Sequence, residues 1–162
     1  MVLEFPTSLM IPLDDTDRRI LNTLQQNCAL TNQQLAERVH VSAPTCLRRV
    51  RRLVEQGVIE RQIAVVSPQA LPSGLTAIVE VTLERQSAEL LERFEQRLAS
   101  EPAVQQCYRV SAGPDFVLVV YVADTAAYHA FAHRVLSGQE NVRNVRSFFS
   151  THRSKFAPSI PV

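Results

Sequence analysis

The sequence predicts an α+β protein with two domains, a helical first half and a second half in which strands and helices alternate. Three observations predict this fold class. Apolar residues recur at helical spacing as far as Leu53, and β-branched runs replace that pattern from Leu75 onward. The stretch SPQALPSG, residues 67–74, separates the two patterns with two prolines and a glycine. Because the chain has 162 residues and 46% of them are apolar, each half can bury a core.

The first two helices are predicted from residues that can cap their N-termini. Asp14, with Asp17 three residues later, can cap the first helix. Thr31 and Gln34 can form a reciprocal capping box at the start of the second. The apolar residues that we expect to face inward are Ile20, Leu21 and Leu24 in the first helix and Leu35, Ala36 and Val39 in the second.

The third helix is predicted to begin after a Ser42 cap, to tolerate Pro44 in its first turn and to stop at Gly57. A helical wheel divides its side chains into two faces. The predicted inward face contains Ala43, Cys46, Leu47, Val50, Leu53 and Val54. The predicted outward face contains Thr45, Arg48, Arg49, Arg52 and Gln56. Arg51 falls on the flank, where Glu55 at i+4 can pair with it.

Beyond Gly57, the β-branched segment VIERQIAVV predicts a strand or a small hairpin. Three short helices with a four-residue turn between the second and third match the helix-turn-helix plan. In that plan the third helix enters the major groove of DNA, and the second crosses the phosphate backbone.

Positive charge is concentrated on the third helix although the net charge of the chain is only +1. Residues 38–61 contain six arginines and two glutamates, whereas residues 67–162 contain nine basic and nine acidic side chains. Arginine suits phosphate oxygens and the guanine O6 and N7 acceptors, and we see no acidic partner nearby in the sequence. The alternative is a solvated helix face. The predicted DNA contacts are Thr31, Asn32, Gln33, Ser42, Thr45, Arg48, Arg49 and Arg52.

The second half is predicted to have the order βαββαβ, which is the ferredoxin-like sandwich. The predicted strands are residues 75–83, 103–111, 116–123 and 141–152, and the predicted helices follow Ser87 and Asp124. Helices cover only one face of such a sheet. We therefore expect a second copy of the chain to cover the other face.

From about Leu13 to its C-terminus, the sequence resembles the Lrp/AsnC family of bacterial and archaeal transcription regulators. The resemblance rests on LDDTDRRIL, LAERVHVSAPTCLRRVRRL and GVI in the first half, and on VQQCYRVSAGPDFVL, NVRNVRSFF and Lys155 in the second. It implies a winged helix-turn-helix joined to an effector-binding domain that dimerises through its sheet. It also implies assembly to tetramers or octamers and a response to an amino acid or related metabolite. The family often has glycine where His40 and Ala112 stand.

The resemblance places the effector near the turn between the second and third strands, which here is Ser111, Ala112, Gly113, Pro114 and Asp115. Turn N–H groups can hold a carboxylate, and Asp115 can hold an ammonium group. The alternative for Asp115 is a structural aspartate that bonds the backbone of its own turn. Further candidates for the effector pocket are Ser147, Phe149 and Thr151.

We therefore divide the chain into an N-terminal tail (1–12), a winged helix-turn-helix domain (13–66), a linker (67–74) and a ferredoxin-like effector and oligomerisation domain (75–162). The predicted partners are double-stranded DNA, an amino-acid-like effector and further copies of the chain. Two alternatives are an architectural DNA-binding protein without effector, and a metabolite-sensing domain whose helical part binds proteins.

Several classes of protein are disfavoured. There is no Gly-rich phosphate loop or nucleophile elbow, so we predict no enzyme and no cofactor. His129 and His133 lack a third ligand, so no metal site is predicted. The three widely spaced cysteines suit reduced, buried thiols in a cytoplasmic protein, and no apolar run is long enough to cross a membrane.

Overall fold

The computed structural model describes residues 11–71, 74–138 and 140–162, and they form two compact units. Unit 1 contains the described residues up to Val65 together with Phe156–Val162, and unit 2 runs from Val66 to Lys155. The C-terminal residues thus belong to unit 1, although the sequence assigned them to the second domain. Residues 1–10 of the predicted tail and residues 72 and 73 of the predicted linker lie outside the described residues.

Unit 1 contains three helices, α1 (Asp15–Gln26), α2 (Asn32–Arg38) and α3 (Ala43–Glu55). The predicted caps are confirmed. Asp14 and Asp17 form a capping box on α1, Thr31 and Gln34 form one on α2, and the Ser42 side chain accepts from the Thr45 N–H on α3. The buried core of this unit comprises Ile20, Leu21, Leu35, Ala36, Val39, Cys46 and Leu53.

Two turns of unit 1 require backbone in the left-handed region. His40 ends the α2 turn with φ of 57°, and Gly57 follows α3 with φ of 71°. Beyond Gly57 the chain folds back, because the Ile59 N–H donates to the Leu53 carbonyl at 3.0 Å. Gly57 thus ends α3 as predicted, while His40 adopts a conformation that glycine adopts more easily.

The strand or hairpin predicted at residues 58–66 is not formed, so that prediction is wrong. Residues 60–66 are mostly exposed, including the apolar Ile63, Val65 and Val66. A β-strand needs a neighbour for its backbone hydrogen bonds, and no described segment of the chain pairs with this one. A β-branched composition alone therefore did not produce a strand.

Unit 2 contains a four-stranded antiparallel sheet in the order β2-β3-β1-β4. Its elements are β1 (Leu75–Leu83), α4 (Ala88–Ala99), β2 (Val104–Arg109), β3 (Phe116–Val122), α5 (Thr125–Phe131) and β4 (Val142–Phe149), and a single π-helical stretch, Ala132–Ser137, extends α5. Val79 pairs with Leu118 of β3 on one side and with Ser147 of β4 on the other. The βαββαβ prediction is confirmed.

The core of unit 2 lies between the sheet and its helices. Alternate residues of β1 and β3 are buried there against α4, α5 and the π-helical stretch, because side chains of a strand point to opposite faces in turn. The core residues are Ala77, Val79, Val81, Leu83, Phe94, Leu98, Phe116, Leu118, Val120, Tyr128, Phe131, Val135 and Leu136. The opposite face of the sheet carries the exposed apolar side chains of Ile78, Tyr108 and Phe148.

Candidate nucleic-acid interface and effector site

The exposed side of α3 differs from the predicted one. Leu47 and Val54 were expected to face inward, but 39% and 49% of their surfaces are exposed. Arg51, which the wheel placed on the flank, is exposed as well. We call this side the outer face of α3, and it consists of Pro44, Leu47, Arg48, Arg51, Val54 and Glu55. Successive residues turn by about 100° on a helix, so the observed face is rotated from the predicted one by about a third of a turn.

Arg49 and Arg52 point to α1, where they bind two aspartates. The Arg49 Nη1 lies 2.6 Å from an Asp14 carboxylate oxygen and 2.9 Å from Oδ1 of Asp17. The Arg52 Nη2 lies 2.5 Å from Oδ2 of Asp17. We call these four residues the Arg–Asp cluster. From the sequence we expected no acidic partner near these arginines. That expectation is wrong, because folding brings α1 against α3.

Asp17 is the centre of the Arg–Asp cluster, since only 1% of its surface is exposed and both of its carboxylate oxygens accept hydrogen bonds from arginine. A buried carboxylate is costly unless it is paired and hydrogen-bonded. The two arginines satisfy it, and their Nε atoms are themselves buried. The cluster therefore joins α3 to α1. Two of the four arginines at residues 48–52 make this connection.

Asp14 is the more exposed of the two aspartates, and its pKa is lowered. The Asp17 N–H donates to its carboxylate, and Arg49 donates a second hydrogen bond to it. These two donors, the backbone N–H first, lower the pKa of Asp14 to about 2. The carboxylate that caps α1 thus stays ionised, which also favours its interaction with the N-terminal end of the helix dipole.

A sequence signal for this cluster does exist. Asp17 lies at helical spacing from Ile20, Leu21 and Leu24, which form the apolar face of α1. A carboxylate on an apolar face is expected to be buried, and a buried carboxylate needs a cationic partner. Arg49 and Arg52, spaced by one helical turn, could have been recognised as such partners.

The remaining arginines of the stretch, Arg48 and Arg51, are exposed on the outer face of α3. Neither forms an ion pair within the part of the chain that the structure describes, and the expected pairing of Arg51 with Glu55 is not formed there. These two guanidinium groups therefore remain available to an external anion.

Most of the polar side chains that were predicted to contact DNA at the helix N-termini form hydrogen bonds within the protein. The Asn32 side chain donates to the Ala43 carbonyl at 2.9 Å and so joins α2 to α3. The Ser42 and Thr45 hydroxyls bond each other at 2.9 Å, and the Thr31 hydroxyl caps α2. Gln33 is exposed, and its amide lies 3.3 Å from Glu37. These residues shape the turn between the two helices.

In unit 2, the turn formed by residues 111–115 connects β2 to β3. Ser111, Ala112 and Gly113 are exposed, and Gly113 has φ of 90°. Asp115 does not bond the backbone of its own turn as the structural alternative supposed. Its carboxylate instead accepts from the Leu83 N–H at 2.6 Å and from the Gln86 amide at 3.4 Å. The aspartate thereby fixes the turn to the end of β1.

The other predicted effector residues lie elsewhere on the sheet. Ser147 bonds the Tyr128 hydroxyl, and the Phe149 ring contacts the Tyr128 ring edge-on at 5.0 Å. Phe149 pairs with Ala77 of β1, whereas the 111–115 turn adjoins the Val81 end. Four residues of strand span about 13 Å. One chain therefore does not bring Phe149 or the following Thr151 together with the turn.

Thr151 instead borders an open groove of about 430 Å³. The groove is lined by Pro68, Leu71, Gly74, Thr76, Tyr121, Ser150, Thr151, His152 and Arg153.

Among the described residues, no helix combines the length and the apolar character that crossing a bilayer requires.

Two family models match the chain, one in each half. The model described as winged helix-turn-helix DNA-binding matches residues 13–60, and the model described as Lrp/AsnC ligand binding domain matches residues 76–160. Residues 13–60 contain the whole of α1, α2 and α3, and residues 76–160 contain nearly the whole sheet.

Proteins from several bacteria are similar to this chain over most of its length. The leucine-responsive regulatory protein of Rhizobium meliloti is 39% identical, with 94% of this chain and 97% of the relative covered. The DNA-binding transcriptional activator DecR of Escherichia coli is 32% identical, with 93% and 99% covered. A transcriptional regulator from Neisseria meningitidis, solved in complex with L-methionine, has a TM-score of 0.82 and 32% identity, with 93% of this chain and 97% of that chain covered.

Proposed function

The chain belongs to the Lrp/AsnC family of transcriptional regulators, a family without enzymatic activity, and we propose on that premise that it reads operator DNA with the outer face of α3 and responds to an amino acid bound by unit 2. The observation that carries the DNA part is the division of the arginines. Arg49 and Arg52 are neutralised by α1, while Arg48 and Arg51 remain exposed. The protein would act in the cytoplasm, where its DNA target lies.

The position of each residue along α3 suggests its role. In a helix-turn-helix the N-terminal part of the recognition helix contacts base edges. Leu47 and Arg48 lie there, so Arg48 would donate to guanine O6 and N7, and Leu47 would contact a thymine methyl group. Arg51, one turn further on, would contact a phosphate. Arg49 and Arg52, predicted from the sequence as DNA contacts, would instead fix the position of the helix.

The N-terminus of α2 supports the same docking. Because Thr31 and Asn32 use their side chains internally, the contact with a phosphate would come from the first backbone N–H groups of α2 and from the exposed Gln33. Ser42 and Thr45 would act by holding the start of α3 in place, since their hydroxyls bond each other.

An amino acid is the effector class that the comparisons favour, because the similar Neisseria protein was solved with L-methionine and the second half matches a ligand-binding family model. The exposed N–H groups of the 111–115 turn would hold the carboxylate. Asp115 would hold the ammonium group, since a carboxylate can accept about four hydrogen bonds and the two described here leave capacity. Phe149 and Thr151 could join this site only from another copy of the chain.

A homodimer formed through the open face of the sheet is the assembly that the exposed side chains favour. Ile78, Tyr108 and Phe148 form an apolar surface there, and Arg146 lies over the Phe148 ring at 5.3 Å. Burial of such a surface against a second copy would present two α3 helices to two half-sites of DNA. Tetramers or octamers would extend this dimer.

The test compares three arginine variants in a DNA-binding titration with promoter fragments. Arg48→Ala should weaken binding by about tenfold or more and relax the base preference at one position, with unchanged thermal stability. Arg52→Ala should lower the melting temperature, because it leaves part of the Asp17 carboxylate unpaired. Arg93→Ala, on an exposed position of α4, is the matched control and should change neither. Normal DNA binding by Arg48→Ala would refute the assignment of this face.

A further inference from the structure

The C-terminal segment binds α1 through a paired set of hydrogen bonds. The Gln25 amide nitrogen donates to the Ile160 carbonyl at 2.9 Å, and the Ile160 N–H donates to the Gln25 amide oxygen at 2.7 Å. One side chain thus satisfies both backbone groups of one residue, as a neighbouring strand would. Because only backbone atoms of Ile160 are used, its side chain stays 67% exposed.

The next contact lies two residues further along the segment. The Asn22 amide donates to the Val162 carbonyl at 3.4 Å. The Val162 side chain packs against the core of unit 1. In a regular strand, side chains two apart share one face, so an exposed Ile160 and a packed Val162 show that the segment does not dock as a regular strand.

The sequence of this segment, APSIPV, prepares it for an extended conformation. Pro158 and Pro161 have a fixed φ, and the residue before each proline is restricted to extended backbone. Fewer conformations are therefore available to the undocked segment. This reduces the entropy lost when it docks on α1.

We propose that residues 159–162 are a strap that docks on α1 of the same chain and completes the DNA-binding unit. The docking surface on α1 consists of the amide side chains of Asn22 and Gln25. It fits an extended segment in which one residue, here Ile160, pairs its backbone N–H and carbonyl with Gln25. A small aliphatic residue, here Val162, follows two positions later. Unit 2 is consequently inserted in the chain between two segments of unit 1.

The strap is connected to the DNA-reading helix α3 through α1. The α1 helix that binds the strap carries Asp14 and Asp17, which hold Arg49 and Arg52 of α3. Residues 156–158 join the strap directly to the end of unit 2. Release of the strap should therefore loosen α1 and, through the Arg–Asp cluster, the placement of α3. This functional consequence rests on the proposed DNA binding, whereas the docking itself does not.

Hydrogen exchange of the full chain measures the docking without DNA. Gln25→Ala removes both hydrogen bonds to Ile160, and Val162→Asp removes the packing against the core. Two hydrogen bonds lost should make the amides of α1 exchange about tenfold faster. Gln26→Ala, at an exposed neighbouring position that borders the groove between α1 and residues 159–161, is the matched control and should leave the exchange unchanged.

The result against the strap is equal protection of α1 in the parent, Gln25→Ala and Val162→Asp. If Val162→Asp unfolds unit 1 altogether, Ile160→Pro serves in its place, because it removes one N–H donor and keeps the segment extended. Exchange is also measured on dilution below the dissociation constant of the oligomer. Protection that persists supports docking within one chain, and protection that is lost would overturn it in favour of exchange between copies.

A DNA titration of the same variants tests the consequence for α3. Gln25→Ala should weaken DNA binding several-fold, while Gln26→Ala should not. Faster exchange with unchanged DNA affinity would overturn the link from the strap to α3. If the parent itself fails to bind DNA while the exchange result holds, the proposed function fails and the docking stands.

Discussion

The four arginines of residues 48–52 have two different tasks, and individual contacts decide which residue has which. Arg49 and Arg52 end on Asp17, whereas Arg48 and Arg51 end in solvent. An arginine side chain is long enough to reach either way from the side of a helix. The sequence predicted the caps at Asp14, Thr31 and Ser42 correctly because a cap depends on residues three apart. It did not assign the arginines, because their partners lie more than thirty residues away and only the position of Asp17 on the apolar face of α1 indicated them.

Asp14 should make unit 1 sensitive to acid. Its folded pKa is about 2, below the ordinary value of 3.8, so the ionised form stabilises the fold at pH above about 4. This contribution is lost as the pH falls through about 2. The melting temperature of the parent should therefore drop between about pH 5 and pH 2. Asp14→Asn keeps a good capping side chain but loses the charge facing Arg49, so its melting temperature should be lower at pH 6 and change less with pH.

Thermal melting over this pH range checks the prediction. Asp15→Asn is the control, because Asp15 lies in the same helical turn and is exposed without an ion pair to arginine in the described residues. The account of Asp14 would be refuted if both variants kept the pH dependence of the parent.

At the level of elements, the main lesson is the rotation of α3. The helical wheel separated an apolar face from a charged face. A pattern with charges on several sides does not, however, fix which side of the helix faces the core. The position of α1 decides this, because Asp17 draws Arg49 and Arg52 inward and leaves Leu47 and Val54 exposed. Likewise, the helices and strands of unit 2 followed from periodicity, whereas residues 58–66 formed no strand because no partner strand was available.

Two leucines of α3 should separate folding from recognition. Leu53 is fully buried in the core of unit 1, so Leu53→Ala should cost about 3 kcal/mol of unfolding free energy. Leu47 is 39% exposed, so Leu47→Ala should change stability by less than about 1 kcal/mol. Leu47→Ala should nevertheless weaken binding to operators that carry thymine at the contacted position. Chemical denaturation and DNA titration of both variants check this, and a large stability loss in Leu47→Ala would show that the outer face is wrongly assigned.

For the whole molecule, the order of elements and the two-unit division were predictable, and the return of the C-terminal residues to unit 1 was not. The change from helical to strand periodicity near residue 67 marked the division. Nothing in the spacing of residues 156–162 pointed to Gln25, because amide-to-backbone pairing leaves no periodic pattern. The predicted effector residues also fell into two groups at different ends of the sheet, since strand register decides which residues meet.

The charge of the molecule as a whole explains how a protein with a net charge of +1 can bind DNA. The nine basic and nine acidic residues of 67–162 balance each other, and the Arg–Asp cluster balances itself. On the outer face of α3, Arg48 and Arg51 outnumber Glu55. DNA affinity should therefore depend on a few exposed cations and respond strongly to salt.

The salt dependence of operator binding, measured for the parent and for Arg51→Ala, tests this claim most directly. A dimer whose Arg48 and Arg51 side chains bring about four cations to the DNA should lose affinity with a log–log slope of about −4. Arg51→Ala removes one of these cations from each of two chains, so its slope should be about −2. A flat salt profile for the parent, or a slope that Arg51→Ala leaves unchanged, would contradict the assignment of the outer face of α3 as the DNA-reading surface.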